Sequence, residues 1–273
     1  MLRRPLTEEE WEVAFAELKA RQAVIWGDGP YERITNTLRD MHTLVVERID
    51  PQPGEAVLDA ATGTGAVAIL AAKRGADVVG LDLAPVLIET ARTRADDEGV
   101  EVTLEVGDAE EMAYRDARFD AVVSSVGVMF APDQVAVANE LARVTRPAGR
   151  IALTAWTPES EMLRMIGPFL PTPPPGIGNP FDWGRADYVE SLLGGAFDLR
   201  FEEHVSPLVV ESGEASWELF TESYGPTKGL VRALDDERRE EFHRSWVDFF
   251  EAYREGDVVV HPRPYLLTLG TRR

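Results

Sequence analysis

Between Glu55 and Trp156 short apolar runs alternate with helical stretches, and this alternation restricts the chain to a small set of folds. The runs are "EAVLDA", "DVVGLD", "VTLEVGD", "FDAVVSSV" and "GRIALTAW", with helical patterns beginning near Ala66, Pro85 and Asp133. Strands that alternate with helices build βαβ units, which place the strands in a parallel sheet covered on both faces. An α/β fold of the doubly wound, Rossmann-like kind is therefore expected.

The flanks carry different patterns. Upstream, Thr7 and Glu10 have the spacing of a capping box, and Trp11, Phe15 and Leu18 share one helical face. After "GDGP", a second helix is expected with Ile34, Leu38, Met41, Val45 and Ile49 in one stripe, stopped by "DPQPG". Downstream, "PFLPTPPPGIGNPFDWG" suits a surface loop or lid, because proline removes the donors that a helix interior or central strand needs. "FDLRFEEHVSPLVV" reads as a strand, Glu214 to Arg254 as helices, and "DVVVHPRPYLLTLGTRR" as a final strand whose prolines imply a bulge, an edge or a turn. The expected organisation is a helical cap over residues 1–50 and a main domain over 51–273. Within that domain, 157–184 is the proline-rich lid segment and 211–256 a helical insertion before the last strand.

Composition narrows the function. The 48 acidic and 28 basic side chains give a net charge of −20, a field that repels phosphate backbones and anionic membrane surfaces. Nucleic acid and membranes are not expected as partners. The N-terminal "MLRRPLTEEEWE" turns acidic where a signal peptide needs an apolar stretch, so a cytoplasmic location is expected. With no cysteine there is no disulfide, thiolate metal site or cysteine nucleophile. No histidine pair has ligand spacing, and no metal is expected.

The chemistry concentrates in "VLDAATGTGAVAILAAKRGADVVGLDLAP". A strand feeding a glycine turn and then a helix N-terminus presents backbone N–H groups to a ligand, and Gly63 and Gly65 permit close approach. Gly63, Gly65 and Ala68 also satisfy the dinucleotide pattern G-x-G-x-x-A. Asp59 discriminates. Directly before the turn, a carboxylate repels a pyrophosphate but attracts the ammonium and sulfonium of S-adenosylmethionine (SAM). It also suits tying down the loop by hydrogen bonds. Asp82, at the end of the second strand, suits a grip on ribose hydroxyls with either cofactor. Asp108, after the third strand, can accept from an adenine amino group while Ala109 offers backbone polar atoms; the alternative for Asp108 is a turn or N-cap carboxylate with Glu111 three residues on.

"VLDAATGTG", "VVGLDLAP", "VTLEVGDAEEM", "FDAVVSSVGVMFAPD" and "ELARVTRPAGRIALTAW" resemble successive motifs of the class I SAM-dependent methyltransferases, in particular the ubiquinone/menaquinone-biosynthesis type of small-molecule enzyme. The resemblance spans Glu55 to Trp156. It implies a seven-stranded, mostly parallel sheet with an antiparallel last strand, SAM as cofactor and S-adenosylhomocysteine as product. It further implies that Asp59, Gly63 and Gly65 surround the methionine part, Asp82 the ribose, Asp108 with Ala109 the adenine, that Ser125 faces the methyl donor, and that Ala60 and Leu83 also contact the cofactor. The D/N-P-P-aromatic motif of enzymes that methylate nucleic-acid amines has no counterpart, because that place reads "SSVGVMF". The "NPF" at Asn179 to Phe181 is loop punctuation.

An SN2 methyl transfer asks mainly for placement, and a base only where the acceptor must lose a proton. Tyr31 and His42 are the catalytic candidates, with His204 and His243 behind them. Met129, Phe130, Trp156, Met162, Met165, Phe169, Phe181 and Trp183 could line an apolar acceptor pocket or simply fill the core. The reading is a small-molecule methyltransferase, monomeric or homodimeric. An NAD(P)-linked oxidoreductase and a SAM-binding protein of the same fold with other chemistry are the alternatives.

Overall fold

The computed structural model describes residues 8–171 and 177–273, with side chains from residue 15 onward. Thr7 and the side chains of Glu10 and Trp11 lie outside the described residues, as do lid residues 172–176. Three helices come first: α1 (Glu8–Trp26), the short α2 (Glu32–Thr35) and α3 (Arg39–Ile49). The alternating region follows as β1 (Ala56–Ala60), α4 (Ala66–Ala72), β2 (Asp77–Asp82), α5 (Pro85–Asp97), β3 (Thr103–Val106), β4 (Phe119–Ser125), α6 (Gln134–Val144) and β5 (Thr145–Trp156). Beyond it lie α7 (Glu161–Ile166), α8 (Ala186–Leu193), β6 (Phe197–Val205), β7 (Leu208–Val210), α9 (Gly213–Ser223), α10 (Gly225–Ala233), α11 (Asp236–Glu251), β8 (Arg254–Glu255), β9 (Val258–His261) and β10 (Pro264–Arg272).

Seven strands form one sheet in the order β3-β2-β1-β4-β5-β10-β6. β1 runs parallel to β2 and β4, and β10 is antiparallel to both β5 and β6. This is the expected mostly parallel sheet with its last strand reversed. β1 reads as a continuous apolar run because both its faces are covered, leaving Val57, Leu58 and Ala60 fully buried. The strand order reverses between β1 and β4, and ligands of open α/β sheets bind at the carboxyl ends beside that reversal.

Three sequence expectations need correction. The helix expected over the Ile34–Ile49 stripe is broken by a 3-10 turn at Asn36–Leu38, although all five stripe residues are buried as foreseen. Arg263 takes the Thr37 carbonyl at 2.5 Å, an acceptor that a continuous helix would use itself. The two long C-terminal strands are each two strands: β6 and β10 belong to the large sheet, β7 and β9 to a three-stranded sheet ordered β7-β9-β8. The breaks fall at Ser206–Pro207 and Pro262–Arg263, opposite one another. There, Ser206 N–H bonds the Arg263 carbonyl at 3.0 Å and Arg263 Nε returns a bond to the Ser206 carbonyl at 3.0 Å. Proline, lacking an N–H, lets the paired strands leave one sheet and enter the other.

The small sheet and α9–α11 enclose a second apolar cluster around Phe220, Phe242, Trp246 and Phe250. Ser212 and Asp235 cap α9 and α11 through the N–H groups of Ala215 and Arg238. α1 ends against this unit. A Cβ built on Gly225 would lie 1.7 Å from the Ile25 carbonyl oxygen, so only glycine permits the approach. Asp28 completes the clamp with ion pairs to Lys228 (2.8 Å) and Arg232. Among the described residues no helix is long and apolar enough to cross a membrane.

Candidate active site

At the carboxyl end of β1 the chain turns through Ala61 to Gly65 into α4. Gly63 and Gly65 have φ of +55° and +77°, a region that strains other residues. Two carboxylates hold the turn from below. Asp59 Oδ2 accepts from both Thr62 Oγ1 (2.6 Å) and Ala68 N–H (3.0 Å), while its other oxygen makes no hydrogen bond among the described residues. Asp82 accepts from Gly63 N–H (2.8 Å) through one oxygen and Ala84 N–H (2.9 Å) through the other. The facing loop after β4 is as constrained. Val126 has φ of +43°, unusual for a β-branched residue, and is held there because its N–H bonds both the carbonyl and the hydroxyl of Thr154.

Between these loops lies a cavity whose lining includes Asp59, Thr62, Gly63, Asp82, Leu83, Asp108, Ala109 and Ser125, together with Tyr31 and His42. Ala61, Thr62 and Gly63 of the turn line it, whereas Ala60 and Gly65, also expected at the site, lie behind them and do not line it. The sequence-predicted residues are thus gathered at one place. Sequence reasoning missed Lys19 and Gln22 of α1, which together with Trp26 close the cavity from the other side. Lys19 pairs with Asp108 (2.6 Å) and Glu110 (2.9 Å), and Gln22 donates to the Phe130 carbonyl. A lysine on a helix face carries no signal of a partner some ninety positions away.

Four carboxylates face this cavity against one ammonium among its described lining residues. Burial pushes the Asp59 carboxyl up to about 7, against the lowering effect of its two hydrogen bonds, and raises Asp82 likewise. Burial lowers His42 to about 4 and holds the Tyr31 phenol far above its ordinary range. At neutral pH the former is an uncharged imidazole and the latter an uncharged phenol. Tyr31 stacks with Tyr224 and meets Trp26 edge-on, at centroid distances of 6.1 and 5.8 Å.

A second cavity adjoins the first and shares Tyr31, Leu38, Val126 and Phe130 with it. Of the aromatic and methionine residues singled out from sequence, Phe130, Trp156, Met162 and Phe181 line it. Met129, Met165, Phe169 and Trp183 instead pack in the two apolar clusters. His204 and His243 reach neither cavity: the first bonds Glu202 and stacks on Tyr265, the second bonds Glu214 on the outer face of α11. His261 and Arg263, which line the second cavity, were missed. An arginine set between two prolines at a strand break was the available signal.

Residues 57–149 match the methyltransferase domain family. The uncharacterised protein Rv1405c of Mycobacterium tuberculosis is 34% identical over 264 residues, spanning 94% of this chain and 96% of its own length. The chain belongs to the class I SAM-dependent methyltransferases. Nocamycin O-methyltransferase of Saccharothrix syringae is 36% identical over 122 residues, 43% of this chain and 44% of that one. The same fold occurs in the YcgJ protein of Bacillus subtilis, with a TM-score of 0.59 at 19% identity over 85% of this chain and 97% of that one. These relatives do not single out the ubiquinone/menaquinone branch.

SAM is the methyltransferase's cofactor, and the NAD(P) reading falls with that assignment. The residues present fit it. A cavity with an excess of carboxylates suits a ligand bearing ammonium and sulfonium charges and opposes a pyrophosphate. The Asp59 oxygen left without a partner is the complement such an ammonium needs, and ionising that buried carboxyl is easier beside a cation.

Proposed function

We propose that this methyltransferase moves the methyl group of SAM to a small, largely apolar organic acceptor seated in the second cavity, by in-line SN2 displacement. The observation that carries the reading is the junction of two unlike cavities, one rich in carboxylates and one lined mainly by Ile34, Phe130, Trp156, Leu163, Ile166 and other apolar side chains, across a shared wall. When bound, SAM supplies an electrophilic methyl carbon. Asp59 draws the ammonium, with Ala60, Gly63 and Gly65 around the methionine part. Asp82 and Leu83 hold the ribose, Asp108 and Ala109 the adenine edge, and Ser125 faces the donor side. Tyr31, uncharged and in contact with Trp26 and Tyr224, orients at the junction, and His42 is a neutral hydrogen-bonding group on the wall of the first cavity. Positioning of this kind, with water kept out, supplies several kcal/mol without a covalent intermediate.

Within the proposed 1–50 cap, α3 is fixed by Met41, Val45 and Ile49 in the main core, and α1 is the part that covers the cofactor cavity. The net charge of −20 supports a small molecule rather than a nucleic acid as the second substrate. The test uses SAM labelled in its methyl group, offered with an extract of apolar metabolites. The label should pass into an extractable product. Label that stays in SAM, while calorimetry shows SAM bound, would overturn the reading and point to other chemistry on the same fold.

A further inference from the structure

The second cavity differs from the rest of this acidic chain in its charge. Among the described residues no aspartate or glutamate lines it, and the one charged group facing it is Arg263, itself 8% exposed. Arg263 is anchored on its outer side: Nη1 donates to Thr37 Oγ1 (3.0 Å), Nη2 to the Thr37 carbonyl (2.5 Å) and Nε to the Ser206 carbonyl (3.0 Å). Nη1 carries two hydrogens, and the second has no acceptor among the described residues.

Two positions earlier, His261 also lines the cavity and is 2% exposed. Its ring is caged by Phe249, Phe250 and Tyr253 at centroid distances of 5.1, 5.1 and 4.8 Å. Neither ring nitrogen has a hydrogen-bond partner among the described residues. Nδ1 is completely buried, which leaves Nε2 as the nitrogen a ligand can reach. Burial pushes this histidine down to about 4, so it stands as a neutral imidazole able to exchange one hydrogen bond with a ligand. Nε2, on the cavity side and without a partner among the described residues, is therefore the atom that a ligand's polar group can pair.

We infer that His261 and Arg263 form the polar end of the acceptor site and select an apolar molecule carrying a hydroxyl or similarly non-basic polar group, against a cationic amine. The inference rests on the second cavity being the acceptor site. A hydroxyl can exchange a hydrogen bond with His261 and accept the spare Nη1 hydrogen of Arg263. An ammonium would instead be desolvated beside a buried guanidinium with no carboxylate among the described lining residues, Glu161 and Asp40 acting on His261 and Arg263 only through longer-range attraction. His261 is a positioning residue in this reading, because it acts on the body of the acceptor.

Calorimetry on protein saturated with S-adenosylhomocysteine tests it with three probes of one shape: indane, indanol and aminoindane. Indanol should bind about tenfold more tightly than indane, the scale of one buried hydrogen bond to a group otherwise left unpaired. Aminoindane, protonated at neutral pH, should bind at least about tenfold more weakly than indane. His261→Phe should erase the preference for indanol over indane, and His261→Gln, which keeps polar atoms, should retain part of it. Equal binding of indane and indanol to the wild-type protein, or tight binding of aminoindane, overturns the inference whether or not the variants fold. An undiminished preference in folded His261→Phe does the same. If none of the three probes binds, the second cavity is not the acceptor site and the wider reading falls with it.

Discussion

Replacing Asp59 by asparagine should make this protein more stable and a poorer SAM binder at once. Both hydrogen bonds to Asp59 end on the same oxygen, so the amide oxygen introduced by Asp59→Asn can accept from Thr62 and Ala68 without moving the loop. What disappears is a buried charge. A carboxyl titrating at about 7 where an exposed aspartate titrates at 3.8 corresponds to about 4 kcal/mol of strain in the ionised form. The sign follows from proton binding. Between those two pH values the folded protein keeps a proton that the unfolded chain has lost, so this residue's contribution is most favourable below pH 3.8 and declines as pH rises through 7. The amide variant has no such decline. Urea unfolding at about pH 5 and about pH 8.5 should therefore show the stability difference shifting toward the variant by roughly 3 kcal/mol. Calorimetry should show SAM binding weakened by about ten- to a hundredfold at high pH, because an amide N–H₂ now meets the ammonium. Wild-type affinity should itself fall as pH drops through 7 and Asp59 takes up its proton. A stability gap independent of pH, or an unchanged dissociation constant for SAM, would refute the reasoning.

Three further outcomes are expected. Asp82→Ala should weaken SAM binding at least about tenfold and, by orphaning the N–H groups of Gly63 and Ala84, cost about 1–3 kcal/mol of stability, both readable by calorimetry. Gly225→Ala places a methyl group on the Ile25 carbonyl and should lower Tm and speed hydrogen exchange at the end of α1, by at least about 1 kcal/mol in local stability. Trp246→Ala empties the centre of the second cluster and strips Ser216 of its 3.1 Å donor, for a loss of roughly 3–5 kcal/mol in denaturant unfolding.

The alternating region was legible because each of its strands and helices announces itself locally, by an apolar run, a cap or a glycine. Asp133, for example, caps α6 through Ala136 N–H where the pattern placed the helix start. The acids at strand ends were legible for the same reason, since topology alone sends Asp59, Asp82 and Asp108 to one rim. What escaped depends on long-range partners. The exchange of bonds between Ser206 and Arg263 decides that two apparent strands are four, and nothing near either segment announces the other. The list of apolar pocket candidates split for a related reason: Trp183 and Phe181 are near neighbours in sequence, yet one packs in the core and the other on a cavity wall. Hydrophobicity reports that a side chain leaves water; the neighbour it meets is set by packing.

The placement of β10 has a consequence for how the chain folds. β6 is bonded to the large sheet through β10 alone, and β10 in turn sits between β6 and β5. β6 has therefore nowhere to dock until the chain has run through α9, α10, α11 and the small sheet and come back at Pro264. Such pairings raise contact order and slow folding, since the closure entropy of a long loop is met before any of its contacts forms. The helical unit has a cluster of its own with which to collapse while the strands wait. A chain ending before Pro264 would lack one strand in sequence and two in the sheet, with the exposed edge of β5 left open to pair with other molecules.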